Sequence, residues 1–280
     1  MKNVFLGGWI LSTALSYGFC AQPEVERAAE CQIAPLTAFS KSSHARYAGA
    51  RGAVLQMGSR NVRSLNWCGY AALTGQKFPE LGAVSAVRGE WKVPSIHPST
   101  QDRYSATWVG IDGYSNDTVE QIGIMQGWVN GHADSYTWFC MYPGPSYEIM
   151  GFPFEPKDKI EAEVTYLGED VYEMVIRNLT QHVYYVVPTE YTIASGLQRS
   201  SAEWILEAPA DENAILPLAK FSPTTFSHCE ATIKGKSGKI DDHHWKNSRI
   251  TMVSENKTKK AVPSKLFNSG KSFKVKWHHQ

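Results

Sequence analysis

The chain has 280 residues, of which 42% are hydrophobic and 20% are charged, and its formal net charge is +1. These values are typical of a globular protein with one large domain or two small ones. A charge so close to zero gives no overall field that would attract nucleic acid, so we expect no nucleic-acid partner. A neutral polymer, a peptide or no partner at all remain open.

The first 21 residues have the features of a secretory signal peptide. A short basic start, "MKN", precedes the apolar run "VFLGGWILSTALSYGF", and Gly18 and Cys20 supply the small residues of a cleavage site. The run is shorter than the roughly 20 residues that a membrane-spanning helix needs, which disfavours an uncleaved anchor. We therefore expect a secreted protein, extracellular or periplasmic, that does not contact the membrane after cleavage.

Residues 22–63 are predicted to be a basic pro-segment or linker. Between Ser40 and Ser64 the segment is rich in Ser, Gly and Ala, and it contains no acidic residue. Its basic residues there are Lys41, Arg46, Arg51, Arg60 and Arg63. Such a leader ahead of a domain with acidic groups suggests an electrostatic clamp that protonation would release. An unstructured terminus is the alternative.

Residues 64–280 are predicted to form one domain of β-strands. Short runs such as "YSATWVGID", "DKIEAEVTYLG" and "SFKVKWHH" are rich in Val, Ile, Tyr, Trp and Thr, and turn-forming residues separate them. "YLGEDVYEMVI" is typical of a hairpin that turns at Gly168, Glu169 and Asp170. Many short strands without intervening helices predict an all-β fold, either an antiparallel sandwich or a barrel.

Side-chain alternation predicts a groove. Successive residues of a strand point to opposite faces, and three of the runs each place aromatic, acidic and small residues on one face. These residues are Trp108, Gly110 and Asp112 in "WVGID", Trp138, Cys140 and Tyr142 in "WFCMYP", and Glu203, Ile205 and Glu207 in "AEWILE". Side by side, they would line a polar groove with aromatic walls. An ordinary amphipathic sandwich would also have polar outer faces, so alternation alone leaves both interpretations open.

An aromatic and acidic groove fits two classes of function. One is a module that binds carbohydrate or peptide, and the other is a hydrolase whose carboxyl groups have pKa values raised by an apolar surround. A thiol enzyme built on Cys140 and His132 is a weaker option, because nothing in the sequence orients that His. The absence of CxxC and HExxH motifs disfavours a structural zinc, and we expect no metal and no cofactor; the pair His243-His244 is expected to be an ordinary surface feature.

Eight motifs follow one another in an order typical of a known family. They are "NWCGY" (66–70), "WKVPS" (91–95), "WVGIDG" (108–113), "EQIG" (120–123), "WFCMYP" (138–143), "NLT" (178–180), "AEWILE" (202–207) and "LAKFSP" (218–223). Together they make the chain, from about residue 65 to its end, resemble the glutamic peptidases of the eqolisin type, whose familiar members are fungal acid endopeptidases.

The resemblance implies a sandwich of two stacked antiparallel sheets with a substrate groove on the concave face. It also implies that peptide bonds are hydrolysed in acid by a Glu and a Gln without a metal, after a signal peptide and a basic pro-segment are removed. By the matching motifs, the catalytic residues are Glu207 and Gln121. Groove-lining positions fall on Gly69, Trp108, Asp112, Gly113, Trp138 and Tyr142, and Asp112 is a further candidate to orient Glu207 or Trp138.

The sequence departs from the family pattern in two places. Cys140 stands where the family has an acidic groove residue, so it could change the pH dependence, or it could gate the groove as a free thiol or in a disulfide with Cys68. The loop between "WVGIDG" and "EQIG" is one residue shorter, which makes Gln126 an alternative to Gln121. The sequence therefore predicts a monomeric, secreted acid endopeptidase acting on polypeptides. The alternative is an inactive β-sandwich that binds peptide or carbohydrate.

Overall fold

The computed structural model describes residues 27–36, 61–75, 79–211 and 214–279. In this part of the chain the regular structure is almost entirely β, with one short 3-10 turn at Thr189–Tyr191. The strands are β1 (Arg27–Ala28), β2 (Gln32–Pro35), β3 (Asn61–Ser64), β4 (Trp67–Leu73), β5 (Val84–Lys92), β6 (Arg103–Ile111), β7 (Val119–Val129), β8 (His132–Tyr142), β9 (Ser146–Met150), β10 (Lys159–Gly168), β11 (Val171–Asn178), β12 (Val183–Val186), β13 (Ser201–Glu207), β14 (Thr224–Ile233), β15 (Lys236–Lys239), β16 (Lys246–Val253), β17 (Lys259–Pro263) and β18 (Phe273–Trp277).

The strands form two layers. The front layer has the hydrogen-bonded order β3-β16-β4-β13-β6-β7-β8-β9-β2. The back layer runs β1-β12-β11-β10-β5-β14-β18-β17, with β15 paired to β14. Because β17 also pairs with β16, the two layers are joined into one continuous sheet. The predicted all-β sandwich is confirmed, with two parallel pairs, β1-β12 and β3-β16, as exceptions to its antiparallel pattern.

The main core lies between the layers. On β7, Ile122 and Ile124 point into this core, and they meet Ile160 and Met174 of the back layer in the same cluster. Met125, whose side chain points to the opposite side of β7, belongs to a second cluster on the outer face of the front layer. The front layer is therefore buried on both faces, and most residues of its central strands β6, β7 and β13 are buried.

The hairpin predicted at Gly168, Glu169 and Asp170 is confirmed, because β10 and β11 pair on either side of it. Glu169 and Asp170 both have positive φ, at 52° and 60°. Two successive residues with positive φ are typical of the turn whose twist matches that of a two-stranded ribbon.

The described parts of the leader pair with the domain. Strand β2 extends the front layer beyond β9, β1 lies parallel to β12, and β3 lies parallel to β16. Strands β2 and β1 satisfy the backbones of β9 and β12, which would otherwise be edges, and β3 adds a further pairing to β16. The signal peptide and most of the basic stretch lie outside the described residues. The boundary between leader and domain, near residue 64, stays a prediction.

In the described part of the chain, no helix has the length and apolar character that crossing a bilayer would require.

Candidate active site

Hydrogen-bond register aligns the outer-face residues of the front layer into rows that cross the strands. The Glu207 row consists of Glu207, Ala106, Met125 and Tyr136. The tryptophan row consists of Gly69, Ile205, Trp108, Gly123 and Trp138. The Gln121 row consists of Glu203, Gly110, Gln121 and Cys140. Side-chain alternation in the sequence therefore predicted correctly that these residues share one face. Hydrogen bonding between the strands places them side by side.

Glu207, the last residue of β13, is held by two N–H donors. The indole Nε1 of Trp108 donates to its Oε2 at 2.8 Å, and the amide Nδ2 of Asn66 donates to its Oε1 at 3.3 Å. The edge of Trp67 packs against the ring of Trp108, with ring centroids 5.0 Å apart. Because Glu207 is only 3% exposed, these contacts fix the direction of a carboxyl group that has little access to bulk water.

Gln121 lies in the middle of β7 and has no exposed surface. Within the described part of the chain, neither its Oε1 nor its Nε2 has a hydrogen-bond partner. A Cβ added at the neighbouring Gly110 would lie 3.1 Å from the Gln121 Cβ, so the glycine provides space beside this side chain. A buried amide without partners carries a desolvation penalty of about 1–3 kcal/mol, which a bound water or ligand would relieve.

Gln121 and Glu207 share a face without touching. They are two strands apart and four residues apart along the strands, which corresponds to about 10 Å across the sheet and about 13 Å along it. The ring of Trp108 belongs to the row between them. Any chemistry that uses both side chains therefore needs a molecule that spans the tryptophan row.

A small cavity adjoins Glu207. It is lined by Leu36, Ala106, Met125, Tyr136, Trp138, Glu207 and Pro209. The space within which the centre of a water molecule could lie is about 10 Å³. That is close to the least space that one ordered water requires. Leu36 comes from the leader, so a leader residue and the candidate catalytic carboxyl share one cavity.

Comparison with known families decides which group of proteins this site belongs to. The model of the Peptidase A4 family matches residues 65–277. The chain belongs to the Peptidase A4 family. The membership makes it a peptide hydrolase. A comparison with curated proteins gave no match.

Solved structures of glutamic peptidases have the same fold as this Peptidase A4 member. Scytalido-glutamic peptidase with a transition-state analogue inhibitor aligns with a TM-score of 0.62 and 23% identity, over 76% of this chain and 98% of that one. SCP-B, a member of the Eqolisin family in complex with the tripeptide Ala-Ile-His, gives 0.59 and 21%, over 76% and 98%. Aspergilloglutamic peptidase from Aspergillus niger gives 0.51 and 22%, over 63% and 99%.

Gln126, the alternative to Gln121 in this Peptidase A4 chain, points away from the groove face. Its side chain points to the same side of β7 as those of Ile122 and Ile124, which face the core between the layers. Its Nε2 donates to the carbonyl of Pro94 at 3.0 Å. These contacts favour Gln121 as the groove residue.

Asp112 has a role different from the predicted one. Its carboxylate accepts hydrogen bonds from the backbone N–H groups of Arg199 and Ser200, at 2.5 and 2.7 Å, and from the side chains of Asn116 and Thr118. It is fully buried and ties the loop after β6 to the segment before β13. The prediction that Asp112 orients Glu207 or Trp138 is wrong, because its oxygens are directed to these other donors.

The predicted glycines lie where a side chain would not fit. A Cβ at Gly69 would come 2.0 Å from the carbonyl oxygen of Trp204, and one at Gly113 would come 2.8 Å from the ring of Trp67. Gly113 also has φ of 95°, a region that side chains rarely adopt. Both glycines therefore allow close packing around the tryptophan row.

The cysteines correct two hypotheses. All four described cysteines are free thiols, and Cys68 faces the core between the layers whereas Cys140 faces outward. The proposed disulfide between them is therefore wrong. Burial raises the pKa of Cys140 to about 12, so its thiol stays neutral, and His132 lies at the opposite, exposed end of β8. A Cys140-His132 thiol enzyme is inconsistent with this geometry.

Trp138 and Tyr142, two residues predicted to line the groove, lie on the outer face of β8. Trp138 is 2% exposed and lines the cavity beside Glu207. Tyr142 is half-buried and packs against the outer-face cluster, and burial raises the pKa of its hydroxyl.

Sequence patterns alone do not reveal several residues around the site. Asn66 stands out in the sequence only as part of "NWCGY", although its amide contacts Glu207. Glu120, next to Gln121, points to the opposite face, where neither carboxyl oxygen has a partner among the described residues. Burial raises the pKa of Glu120 well above its usual value, and Asp112 and Glu203 add to this effect. A charged residue in an otherwise uncharged strand was the available signal for Glu120.

One described group of side chains away from the groove could hold a metal ion. It consists of Asp242, His243 and His244, whose ligand atoms lie within 4.8 Å of one another. Both histidines are exposed, so the expected surface location is confirmed. None of the three lines the cavity beside Glu207.

Proposed function

We propose that this protein is a secreted acid endopeptidase in which Glu207 and Gln121 form the catalytic pair. The observation that carries the proposal is the contrast between the two side chains on one face. Glu207 is held in position by Trp108 and Asn66, and the Gln121 amide has no protein partner among the described residues. A held carboxyl and an unpaired amide are the groups that a hydrolytic water and a peptide carbonyl would need.

Glu207 is the proton carrier of the proposed reaction. As a carboxylate it accepts a proton from a water molecule, and the water oxygen bonds to the carbonyl carbon of the peptide. When the C–N bond breaks, the protonated Glu207 returns the proton to the leaving amine, which gives a carboxylic acid and an amine. The N–H donors of Trp108 and Asn66 hold the carboxyl group at the wall of the small cavity.

Gln121 stabilises the oxygen that becomes negative during attack. Its amide Nε2 can donate to this oxyanion when the substrate spans the tryptophan row. One such donor is typically worth about 3–4 kcal/mol of activation free energy. A glutamine does not titrate, so it keeps this donor at low pH.

Several features support an acidic working range. Burial raises the pKa of Glu203, on the strand of Glu207, well above its usual value, and Asp112 adds to the effect. Glu203 and Glu120 are therefore accommodated most easily as neutral acids. Neutral carboxyl groups in the sheet are compatible with a protein that works at low pH.

The remaining elements of the proposal follow from sequence and resemblance. A signal peptide over residues 1–21 would export the chain, and residues 22–63 would act as a pro-segment. The reaction above uses no metal and no cofactor, and we propose a monomer that acts on polypeptides. Peptide binding is supported by neighbours of the same fold that were solved with a peptide-based transition-state analogue and with a tripeptide.

The alternative is an inactive sandwich that binds peptide or carbohydrate. Full burial of Gln121 is the observation that favours it, since substrate reaches this amide only if the groove opens. The Trp108 hydrogen bond to Glu207 favours the peptidase, because a simple binding face does not require a carboxyl held in this way.

The proposal is tested with a denatured protein substrate. After acid treatment to remove the leader, cleavage is measured from pH 2 to 8, with EDTA, pepstatin or iodoacetamide added separately. We expect cleavage near pH 4 that none of the three reduces. No cleavage at any pH after loss of the leader would favour the inactive alternative, and inhibition by EDTA would point to a metal enzyme.

A further inference from the structure

The leader strand β2 binds the front layer in the way that an extended peptide binds a sheet edge. It runs antiparallel to β9, with Ile33 opposite Ile149 and Pro35 opposite Tyr147. The backbone N–H of Leu36 continues the ladder by donating to the carbonyl of Ser146 at 3.1 Å. Main-chain pairing of this kind accepts many sequences and leaves selectivity to the side chains that enter pockets.

Alternation along β2 sends its apolar side chains to two different places. Ile33 packs against the core between the layers. Leu36 packs against the outer-face cluster and lines the cavity that it shares with Glu207. The leader therefore places an aliphatic side chain in the groove next to the proposed catalytic carboxyl.

The walls of this cavity are suited to an aliphatic side chain. Ala106, Met125, Trp138 and Pro209 are apolar, and Glu207 is the only charged residue among the described residues that line it. A charged or strongly polar side chain would lose its hydration there without gaining a partner.

The small size of Ala106 determines the depth of the cavity. Ala106 lies between Glu207 and Met125 in the Glu207 row. A larger residue at this position would fill the space that Leu36 approaches, and a smaller residue at Met125 would widen it. These two positions therefore control which side chain fits beside Glu207.

We infer that strand β2 and Leu36 occupy the place of the substrate, and that the site selects extended peptides with a large aliphatic side chain next to Glu207. The part of this inference that concerns cleavage depends on the proposed peptidase function. The binding preference itself does not depend on catalysis, so the two can fail separately.

The binding test uses the full chain with Leu36→Asp, which places a second carboxyl near Glu207 and weakens the hold of the leader. Leu167→Asp is the matched control, because Leu167 is 60% exposed on the β10-β11 hairpin. The probe is a synthetic peptide with the sequence of residues 32–36, compared with the same peptide ending in Asp. Binding is followed by tryptophan fluorescence.

We expect the Leu36→Asp chain to bind the Leu peptide at least roughly tenfold more tightly than the Asp peptide, and the Leu167→Asp chain to bind both weakly, since its leader remains in place. Equal affinity for the two peptides, or no binding to the Leu36→Asp chain, would overturn the inference. Amide hydrogen exchange at Ser146–Met150 reports whether the leader was loosened. Unchanged exchange in the Leu36→Asp chain would also contradict the docking of Leu36.

The catalytic arm separates this inference from the proposed function. If the protein cleaves peptides, Leu36→Asp should raise kcat/KM roughly tenfold at low substrate, whereas Leu167→Asp should leave it unchanged. Met125→Ala should shift the preferred side chain from Leu toward Phe. Cleavage sites without aliphatic enrichment at any fixed position would overturn the inference. Selective peptide binding without cleavage would retain it and reject the peptidase proposal.

Discussion

The Glu207 row and the Gln121 row lie on the same face of the same sheet, but their polar groups are satisfied differently. In the Glu207 row the carboxyl has an N–H donor on each oxygen. In the Gln121 row the amide has none in the described structure. Under the proposed function, one half of the site is organised before substrate arrives, whereas the other half is completed by the substrate or by water.

Apart from the loss of Glu207 itself, the largest expected effect is on the incomplete half. Gln121→Met keeps the shape of the side chain and removes both polar atoms. We expect kcat to fall by about 10²–10³ because the oxyanion loses its donor. Thermal unfolding should show unchanged or higher stability, since an unpaired buried amide is replaced by an apolar group. Retained activity would reject the role of Gln121, and a large loss of stability would show that its amide is paired in solution.

The organised half is tested through Trp108. Trp108→Phe removes the indole N–H that holds Glu207 and keeps an aromatic ring in the row. A hydrogen bond to a charged group is worth about 1.5–3 kcal/mol, so we expect kcat to fall by roughly tenfold to a hundredfold.

Trp91→Phe is the control for ring size. Trp91 is fully buried in the back layer, and its indole N–H has no hydrogen-bond partner in the described structure. We expect this variant to lower stability without a comparable loss of kcat. Equal losses of kcat in both variants would mean that the Trp108 effect is only one of packing.

A smaller effect is expected on the pH dependence of the free energy of unfolding. Burial raises the pKa of Glu120, and Asp112 and Glu203 contribute while Arg199 opposes them. A carboxyl with a raised folded-state pKa contributes stability that is fully present below its unfolded pKa of about 4.3 and is lost as the pH rises toward the folded value. In this range the free energy of unfolding should fall by up to about 1.4 kcal/mol for each pH unit.

Urea unfolding between pH 3 and 8 measures this dependence. Glu120→Gln should flatten the loss of stability above about pH 4.3, because the amide does not ionise. An equally steep dependence in the variant would assign the effect to other groups, with Glu203 the first to examine because burial raises its pKa in the same direction.

The smallest effect is expected at Cys140, which pairs with Gln121 across β7 and β8. Cys140→Glu adds a carboxyl to the Gln121 row, and its negative charge would favour protonation of neighbouring acids. The acidic limb of the pH-rate profile should therefore move up by at most about one unit. Cys140→Ser should leave the profile in place, because the thiol is already neutral with a pKa of about 12. An unchanged profile in both variants would make Cys140 a simple packing residue.

The sequence was informative about local pattern and less so about long-range pairing. Alternation placed Trp108, Trp138 and Glu207 on one face, and turn residues predicted the β10-β11 hairpin. The tryptophan row lies between Glu207 and Gln121, and it forms because β13 pairs with β6, a strand almost 100 residues away in sequence. No local pattern in the sequence encodes this pairing. Asp112 was misread for the same reason, because its partners Arg199 and Ser200 are distant in sequence. The leader strand was missed since an edge strand pairs through its backbone.

The central claim is that Glu207 carries the proton during hydrolysis, and two isosteric changes on β13 test it most directly. Glu207→Gln and Glu203→Gln alter two buried carboxyls on the same face of one strand. After removal of the leader, cleavage of a denatured protein near pH 4 is compared by kcat, with far-UV circular dichroism as the check of folding. We predict that Glu207→Gln is folded and loses at least about 10³-fold in kcat, whereas Glu203→Gln stays within a few-fold of the unaltered protein. A folded Glu207→Gln protein that keeps its activity, or equal losses in both variants, would contradict the account.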